Sequence, residues 1–231
     1  MKFLFLNSII GLFYPSICAS CGTSLYKWEK TVCLRCRSLL PHTGYALNED
    51  NPLARIFYGR VRFKAVTACF FFSKEGKVQH LIHELKYKSN TEAGVFLGQE
   101  LGKTLKEAPL FQGVDYLIPV PLHPKREKER GYNQSLMIAQ GIHEVTGIPV
   151  GKDYLFRKVN TATQTHKSKE DRWLNVKDIF AVRHSECLEG KYVVLVDDVL
   201  TTGATLEACA LALSKVPRIT ISCATAACAG V

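Results

Sequence analysis

The sequence lacks a segment that is long and apolar enough to span a membrane. Its amino-terminal stretch is apolar, with Phe3, Leu6, Ile10 and Phe13 at helical spacing, but polar residues interrupt it. The same stretch lacks a small-x-small cleavage pattern, so it does not have the features of a secretory signal. We expect an amphipathic helix packed on the body of the protein, with contact to a membrane surface as the less favoured alternative.

Low-complexity runs and internal repeats are also absent from the 231 residues, and the composition is that of an ordinary globular protein. The length allows one full domain and a small appendage. An acidic excess is absent too, since 30 Lys and Arg oppose 21 Asp and Glu, a net charge of +9. Such a charge favours nucleic acid, phosphorylated metabolites or an anionic membrane as partners, without choosing among them.

The number of cysteines is odd, nine in all, which fits poorly with the disulfide framework of a secreted protein. Five of them lie singly in apolar surroundings, as is typical of reduced thiols in cytoplasmic proteins. We therefore expect a cytoplasmic location. These five are Cys69, Cys187, Cys209, Cys223 and Cys228.

The other four cysteines form two Cys-x2-Cys pairs, Cys18 with Cys21 and Cys33 with Cys36. Each pair can present two thiolates from one tight turn, so together they predict a tetrahedral sulfur site for Zn2+. Four protein ligands leave no position for water, which makes the predicted zinc structural. Redox-active pairs or disulfides are the alternatives. The intervening eleven residues suit a small hairpin.

A second metal site is conceivable at His80 and His83, which are three residues apart on a predicted helix with Glu84 beside them. No third ligand follows at a recognisable distance. We favour polar residues on the flank of a helix.

The rest of the chain alternates between strand and helix patterns, which predicts an α/β fold with a mainly parallel sheet flanked by helices. The first two β-rich runs, 54–61 and 65–73, suggest a hairpin. Helices are expected at 77–88, 92–106, 133–145 and 204–215. Further strands are expected at 114–121, 153–157, 178–182, 192–198 and 218–227.

The aliphatic strand that ends in Asp197 and Asp198 has two interpretations. In a P-loop ATPase it would bind metal, but the nearest phosphate-binding motif, "GQELGKT" at 98–104, has its glycines one residue too close and lies in a helical pattern. In a ribose-phosphate site the two carboxylates accept hydrogen bonds from sugar hydroxyls. The following turn then surrounds a 5′-phosphate with backbone N–H groups at a helix amino terminus. This interpretation accounts for Val199, Leu200, Thr201, Thr202, Gly203, Ala204 and Thr205.

The segment "VVLVDDVLTTGAT" resembles the signature of type I phosphoribosyltransferases that binds phosphoribosyl pyrophosphate (PRPP). From Cys18 to the last strand, the chain resembles the ComF family of competence-associated proteins. These join a four-cysteine zinc element to a phosphoribosyltransferase-like domain. The resemblance implies an amino-terminal helix and zinc module over residues 1–45 and a phosphoribosyltransferase-like domain over residues 46–231.

Three further motifs carry the resemblance. "IPVPLHPKREKERGYNQS" corresponds to the pyrophosphate loop, which places Pro121, Lys125 and Arg126 at the diphosphate, and Arg130, Asn133 and Gln134 in functional or structurally fixed positions. "HELKYK" resembles a family helix whose Lys86 either binds an anion or lies on the surface.

The polar segment after residue 157 corresponds to the flexible loop that closes over substrate in phosphoribosyltransferases. The family spacing places Arg157, Thr161, Gln164, Arg172 and Asn175 in this loop. Two positions depart from the family, Lys167 in place of leucine and Asp178-Ile179 in place of a small pair.

The resemblance implies a role in DNA uptake and natural transformation, with PRPP and Mg2+ as ligands and proteins of the DNA-uptake machinery as partners. Basic and aromatic residues interleave at 57–65 and 128–134, a mixture that favours single-stranded DNA, although core packing explains the first stretch equally well. The sequence favours such a DNA-processing factor. An active phosphoribosyltransferase acting on a nucleobase is the alternative, since no motif identifies an acceptor site.

Overall fold

The main sheet of the protein is four-stranded and parallel. The computed structural model describes residues 16–158 and 179–230, so the predicted amino-terminal helix lies outside the described residues. The main sheet has the order β1-β6-β5-β2, and all of its pairings are parallel. The strands within the described ranges are β1 (Val66–Phe71), β2 (Tyr116–Pro119), β3 (Leu155–Arg157), β4 (Phe180–Val182), β5 (Tyr192–Leu200) and β6 (Thr220–Cys228).

Helices cover both faces of this sheet, as the alternating sequence pattern predicted. They are α1 (Leu34–Ser38), α2 (Pro52–Arg55), α3 (Lys77–Tyr87), α4 (Thr91–Glu107), α5 (Pro124–Arg130), α6 (Gln134–Thr146) and α7 (Ala204–Leu213). On β5, Val194 and Val196 belong to the core shared with α3, α4 and α6, whereas Val193 and Leu195 belong to the core shared with α7. A strand buried on both faces requires the continuous aliphatic run seen in the sequence.

Helices α4 and α6 cross at unusually close range. A Cβ atom on Gly98 would lie 2.0 Å from the carbonyl oxygen of Ile138, and one on Gly141 would lie 2.1 Å from that of Val95. The glycines of "GQELGKT" therefore serve helix packing inside α4. This placement agrees with rejecting the motif as a nucleotide-binding loop.

The predicted hairpin at 54–73 is wrong, because only Val66–Phe71 of that segment forms a strand. Asn51 instead starts the short helix α2, since its side-chain oxygen accepts from the backbone N–H groups of Leu53 and Ala54. Its amide also donates to the carbonyl oxygen of Val66. Phe57 is buried in the core shared with α7, and it does not belong to a strand. The interleaved aromatics thus misled the sequence interpretation.

The four-cysteine segment packs directly on the main domain. Cys18, Cys36 and Leu40 are buried in the same cluster as residues of α3, α4 and α6. A hydrogen-bonded ion pair joins Arg37 to Glu100 of α4 at 2.8 Å. The segment and the sheet domain therefore share one core.

A separate two-stranded antiparallel sheet, β3 with β4, flanks the residues that the structure does not describe. Both strands were predicted from the sequence. Thr161, Gln164, Lys167, Arg172, Asn175 and Asp178 lie outside the described residues. Only Arg157 of the predicted flexible-loop residues is described, at the end of β3, with its guanidinium 5.6 Å from the ring centre of Phe180.

Candidate functional site

Two groups of candidate functional side chains stand out, and the first is the cluster of four cysteines. The Sγ atoms of Cys18, Cys21, Cys33 and Cys36 all lie within 4.8 Å of one another. Cys21 and Cys33 place their Sγ atoms 3.9 Å apart. Zn–S bonds of about 2.3 Å in a tetrahedron require a separation of roughly 3.8 Å, so the cluster fits a zinc ion.

The local backbone also fits a metal-thiolate site. The backbone N–H of Cys33 points at the sulfur of Cys18 (3.3 Å), and that of Cys36 points at the sulfur of Cys33 (3.4 Å). Burial raises the pKa of the Cys36 thiol to about 12, so a cation is needed to hold this sulfur as a thiolate. All nine cysteines lie in the described ranges, and none of them forms a disulfide in this structure.

The hairpin predicted between the two pairs does not form. The isolated bridge in this segment joins Ile17 to Ser24 and closes the first turn. Cys33 is the amino-terminal cap of α1, which brings Cys36 back one helical turn later. A turn and a helix start, rather than two strands, therefore position the sulfurs.

The second group is built around Asp197 and Asp198 near the carboxyl end of β5. Asp197 Oδ1 accepts a hydrogen bond from the Ser135 hydroxyl (2.8 Å) and another from the backbone N–H of Asp198 (2.9 Å). Asp198 Oδ2 lies 2.8 Å from Lys86 Nζ in an ion pair whose side chains are 14% and 24% exposed. The two carboxylates thus have different partners, a hydroxyl for Asp197 and a cation for Asp198.

The environment of Asp197 disfavours its charge. Burial, and after it the charge of Asp198, raises the pKa of Asp197 to about 7. The hydrogen bond from Ser135 lowers the pKa and only partly offsets this increase. Keeping this carboxylate charged lowers the stability of the ligand-free protein. Carboxyl groups with such perturbed pKa values are concentrated at functional sites.

The turn after the acids has the geometry expected of an anion-binding loop. β5 continues through Val199 and Leu200, two residues beyond the predicted end of the strand, and α7 begins at Ala204. Thr201, Thr202 and Thr205 are exposed. The ten-residue helix has no side-chain cap, so its first N–H groups keep no side-chain acceptor.

Gly203 and two residues missed by the sequence interpretation hold this turn in place. Gly203 has a left-handed backbone (φ +76°), and a Cβ at this position would lie 2.6 Å from the ring of Phe57. Arg60 donates to the carbonyl oxygen of Thr202 (3.2 Å) and pairs with Glu207 of α7. No local motif signals these contacts, since about 140 residues separate the partners.

A basic cavity of about 470 Å³ adjoins the acid pair, and Lys86 belongs to both. Its other lining residues come from the end of α3 and from the segment predicted as the pyrophosphate loop: Tyr87, Ser89, Arg126, Glu129, Arg130 and Tyr132. Arg126 is therefore brought to the site. Pro121 is half-buried just after β2, and Lys125 is exposed on α5, but neither lines this cavity.

The "RGYNQ" segment has a structural role that the sequence could not assign. Asn133 caps α6 through the N–H of Ser135 (2.9 Å) and donates to the carbonyl oxygen of Val120 (3.0 Å). Arg130 donates to Gln134 (2.8 Å), and the Tyr132 hydroxyl donates to the carbonyl oxygen of Leu85. These bonds fasten the ends of β2, α3 and α6 together beside the acid pair.

His80 and His83 do not form a metal-binding group in the part of the chain that the structure describes, where such clustering is limited to the four cysteines. The His83 ring packs 4.9 Å from that of Tyr87, and Glu84 bonds Asn90. This agrees with the interpretation of helix-flank residues. Within the described ranges, none of the helices has the length and apolarity needed to cross a membrane.

These features define an α/β protein with a four-cysteine cluster and a carboxylate pair that precedes a turn leading into a helix. No family model matches the chain. DNA utilization protein YhgH of Escherichia coli K12 is 28% identical over 204 residues, covering 85% of this chain and 83% of the relative. Competence protein F of Haemophilus influenzae is 38% identical over 100 residues, covering 43% and 44%. Competence protein ComFC of Bacillus subtilis is 24% identical over 194 residues, covering 83% and 75%.

The chain is therefore a homologue of DNA utilization and competence proteins, as its motifs predicted. Among solved structures, a glutamine PRPP amidotransferase from B. subtilis is similar with a TM-score of 0.44 and 22% identity, covering 62% of this chain and 30% of that one. An adenine phosphoribosyltransferase from Leishmania tarentolae has a TM-score of 0.37 and 14% identity, covering 79% and 77%. Because both TM-scores are below 0.5, the fold class rests on the sheet order itself.

Proposed function

We propose that the protein is a DNA-uptake factor that binds PRPP at Asp197–Thr205 and binds single-stranded DNA. The observation that carries the PRPP assignment is the juxtaposition of a carboxylate pair, an uncapped helix start and a basic cavity. The relatives named as competence and DNA utilization proteins support the biological role. We place the protein in the cytoplasm, with proteins of the DNA-uptake machinery as partners.

In this proposal each part of PRPP meets a complementary group. Asp197 and Asp198 accept hydrogen bonds from the two ribose hydroxyls, and the exposed turn with Thr201, Thr202 and Thr205 surrounds the 5′-phosphate. The diphosphate lies toward Lys86, Arg126 and Arg130 in the basic cavity. Carboxylate oxygens also suit Mg2+, which neutralises part of the diphosphate charge.

Structural zinc at the four cysteines completes the assignment. The cluster would hold the segment of residues 18–36 in the shape that packs on α4, because so short a segment has little core of its own. We place the boundary between this module and the phosphoribosyltransferase-like domain at residue 45.

An active phosphoribosyltransferase is the second candidate, and the same cavity favours it. Cations at the diphosphate would stabilise the leaving group as C1 of the ribose gains positive charge. Acceptor chemistry requires a nucleobase or related group to displace the diphosphate. We favour binding without transfer, because the named relatives are competence and DNA utilization proteins.

The test has two stages on the same zinc-loaded protein. Calorimetry with PRPP and Mg2+ is expected to show saturable binding at one site per chain. Absence of binding would contradict the proposed site. Product analysis with a panel of nucleobases then separates the candidates, since release of diphosphate together with a nucleotide would establish transfer.

A further inference from the structure

The loop between the two cysteine pairs presents a stacked pair of exposed aromatic rings. The ring centres of Tyr26 and Trp28 are 4.8 Å apart, and their planes differ by 1°. The two residues are 66% and 74% exposed. Large aromatic side chains ordinarily bury most of their surface, so an exposed parallel stack points to a partner with flat faces of its own.

Hydrogen bonds hold this stack in place in the ligand-free protein. The Glu29 carboxylate accepts from the backbone N–H of Tyr26 (2.9 Å) and from that of Leu34 (2.6 Å). The Glu29 N–H donates in turn to the carbonyl oxygen of Tyr26 (2.9 Å). Because the loop is already ordered, a partner that stacks on the rings does not have to supply the entropy of ordering them.

The charge around the rings is positive. Lys27, Lys30 and Arg35 are exposed and form no ion pair with any other residue that the structure describes. Glu29 is the sole acid between residues 16 and 40, and both of its oxygens accept backbone hydrogen bonds. Flat rings on a segment that also carries three exposed cations complement a chain of bases and phosphates.

We propose that this aromatic platform, Tyr26 and Trp28 with Lys27, Lys30 and Arg35, is where single-stranded nucleic acid binds. The assignment rests on the proposed DNA binding and names the surface for it. Bases extend the stack on the outer ring faces, and phosphates contact the three cations. Trp28 and Lys30 of the platform also line a groove that faces α4 and α6, together with Glu92 and Glu144. We expect the strand to follow the outer side of the platform, away from these two acids.

The test compares alanine variants of two aromatic residues with similar exposure. Trp28→Ala is expected to weaken binding of a dT oligonucleotide about tenfold or more, the effect of losing a stacked base. Trp28→Phe keeps a flat ring and is expected to retain most of the affinity. Tyr58→Ala is the matched control, since Tyr58 is 62% exposed in the other basic-aromatic stretch. Its affinity is expected to equal that of the unmodified protein.

Two further readouts distinguish stacking from a structural effect. The chain has two tryptophans, so Trp173→Phe leaves Trp28 as the sole tryptophan, whose fluorescence the oligonucleotide is expected to quench. Lys27→Gln and Lys30→Gln are each expected to reduce the salt slope of binding by about 0.7. Zinc content measured on every variant shows whether the cysteine site is intact.

The outcomes separate the platform from the proposed function. If the unmodified protein binds the oligonucleotide and Trp28→Ala binds equally well, the platform assignment is overturned while DNA binding stands. Weakening by Tyr58→Ala alone would overturn it as well and move the site to residues 57–65. If the unmodified protein binds no single-stranded DNA at low salt, both proposals fail together.

Discussion

Replacing Gly203 with alanine tests whether Phe57 supports the turn after the acid pair. The alanine would have to keep a left-handed backbone at φ +76°, which costs about 1–2 kcal/mol. Its Cβ would also lie 2.6 Å and 2.7 Å from two ring atoms of Phe57, a residue that is 1% exposed. Overpacking of this kind costs about 1–3 kcal/mol. The sum predicts a loss of roughly 3 kcal/mol.

Urea unfolding of matched variants separates the two contributions. Gly113→Ala has almost the same backbone strain, at φ +78°, with nothing within 4 Å of the added Cβ, so it reports the backbone cost alone. Gly203→Ala is expected to exceed it by more than about 1 kcal/mol, and that excess should shrink in a Phe57→Leu background. Equal costs at the two glycines would refute the idea that Phe57 supports the turn.

Three other predictions concern the metal, the acid pair and the helix crossing. Metal analysis of reductant-protected protein should give one zinc per chain, and Cys33→Ser should lower both this content and the melting temperature; well under half an equivalent in the unmodified protein would contradict the site. The pKa of Asp197 is raised to about 7 from an ordinary 3.8. Protonation of Asp197 therefore stabilises the folded state fully below about pH 4, and this contribution is lost as the pH rises through about 7. The free energy of unfolding of the ligand-free protein, measured in urea, should therefore fall relative to that of Asp197→Asn as the pH rises from about 4 to about 7. Parallel pH profiles of the two proteins would exclude the pKa shift. Gly98→Ala should cost more than Gly102→Ala, because its Cβ would meet a backbone oxygen at 2.0 Å rather than a first contact at 3.0 Å; equal melting temperatures would argue against the close crossing.

Those parts of the molecule that depend on local patterns could be predicted from the sequence. The buried aliphatic run that ends in Asp197 and Asp198 predicted the position of β5. The spacing of the two cysteine pairs predicted the sulfur cluster of Cys18, Cys21, Cys33 and Cys36. Both signals lie within one short segment of the chain, so the residue types and their spacing are enough to recognise them.

Contacts between distant segments could not be predicted in this way. Ser135 meets Asp197 across 62 residues, and nothing around the serine signals its partner. The sequence allows Lys86 either a surface position or an anion site, and only the fold brings it to Asp198, where the two form an ion pair. The aromatic residues near Phe57 resemble a strand in sequence. The contact between Phe57 and the distant Gly203 leaves no periodic pattern from which it could be predicted.

We propose that Asp197 and Asp198 bind the ribose of PRPP. The decisive experiment is calorimetry with PRPP and Mg2+ on the unmodified protein and on the Asp197→Asn/Asp198→Asn double variant. Asp50→Asn, the same change in an exposed carboxylate paired with Arg55, is the control. Each lost charged hydrogen bond is worth roughly 1.5–3 kcal/mol, so the account predicts affinity at least about a hundredfold weaker in the double variant and unchanged in the control. Equal affinity in the unmodified protein and the double variant would contradict it.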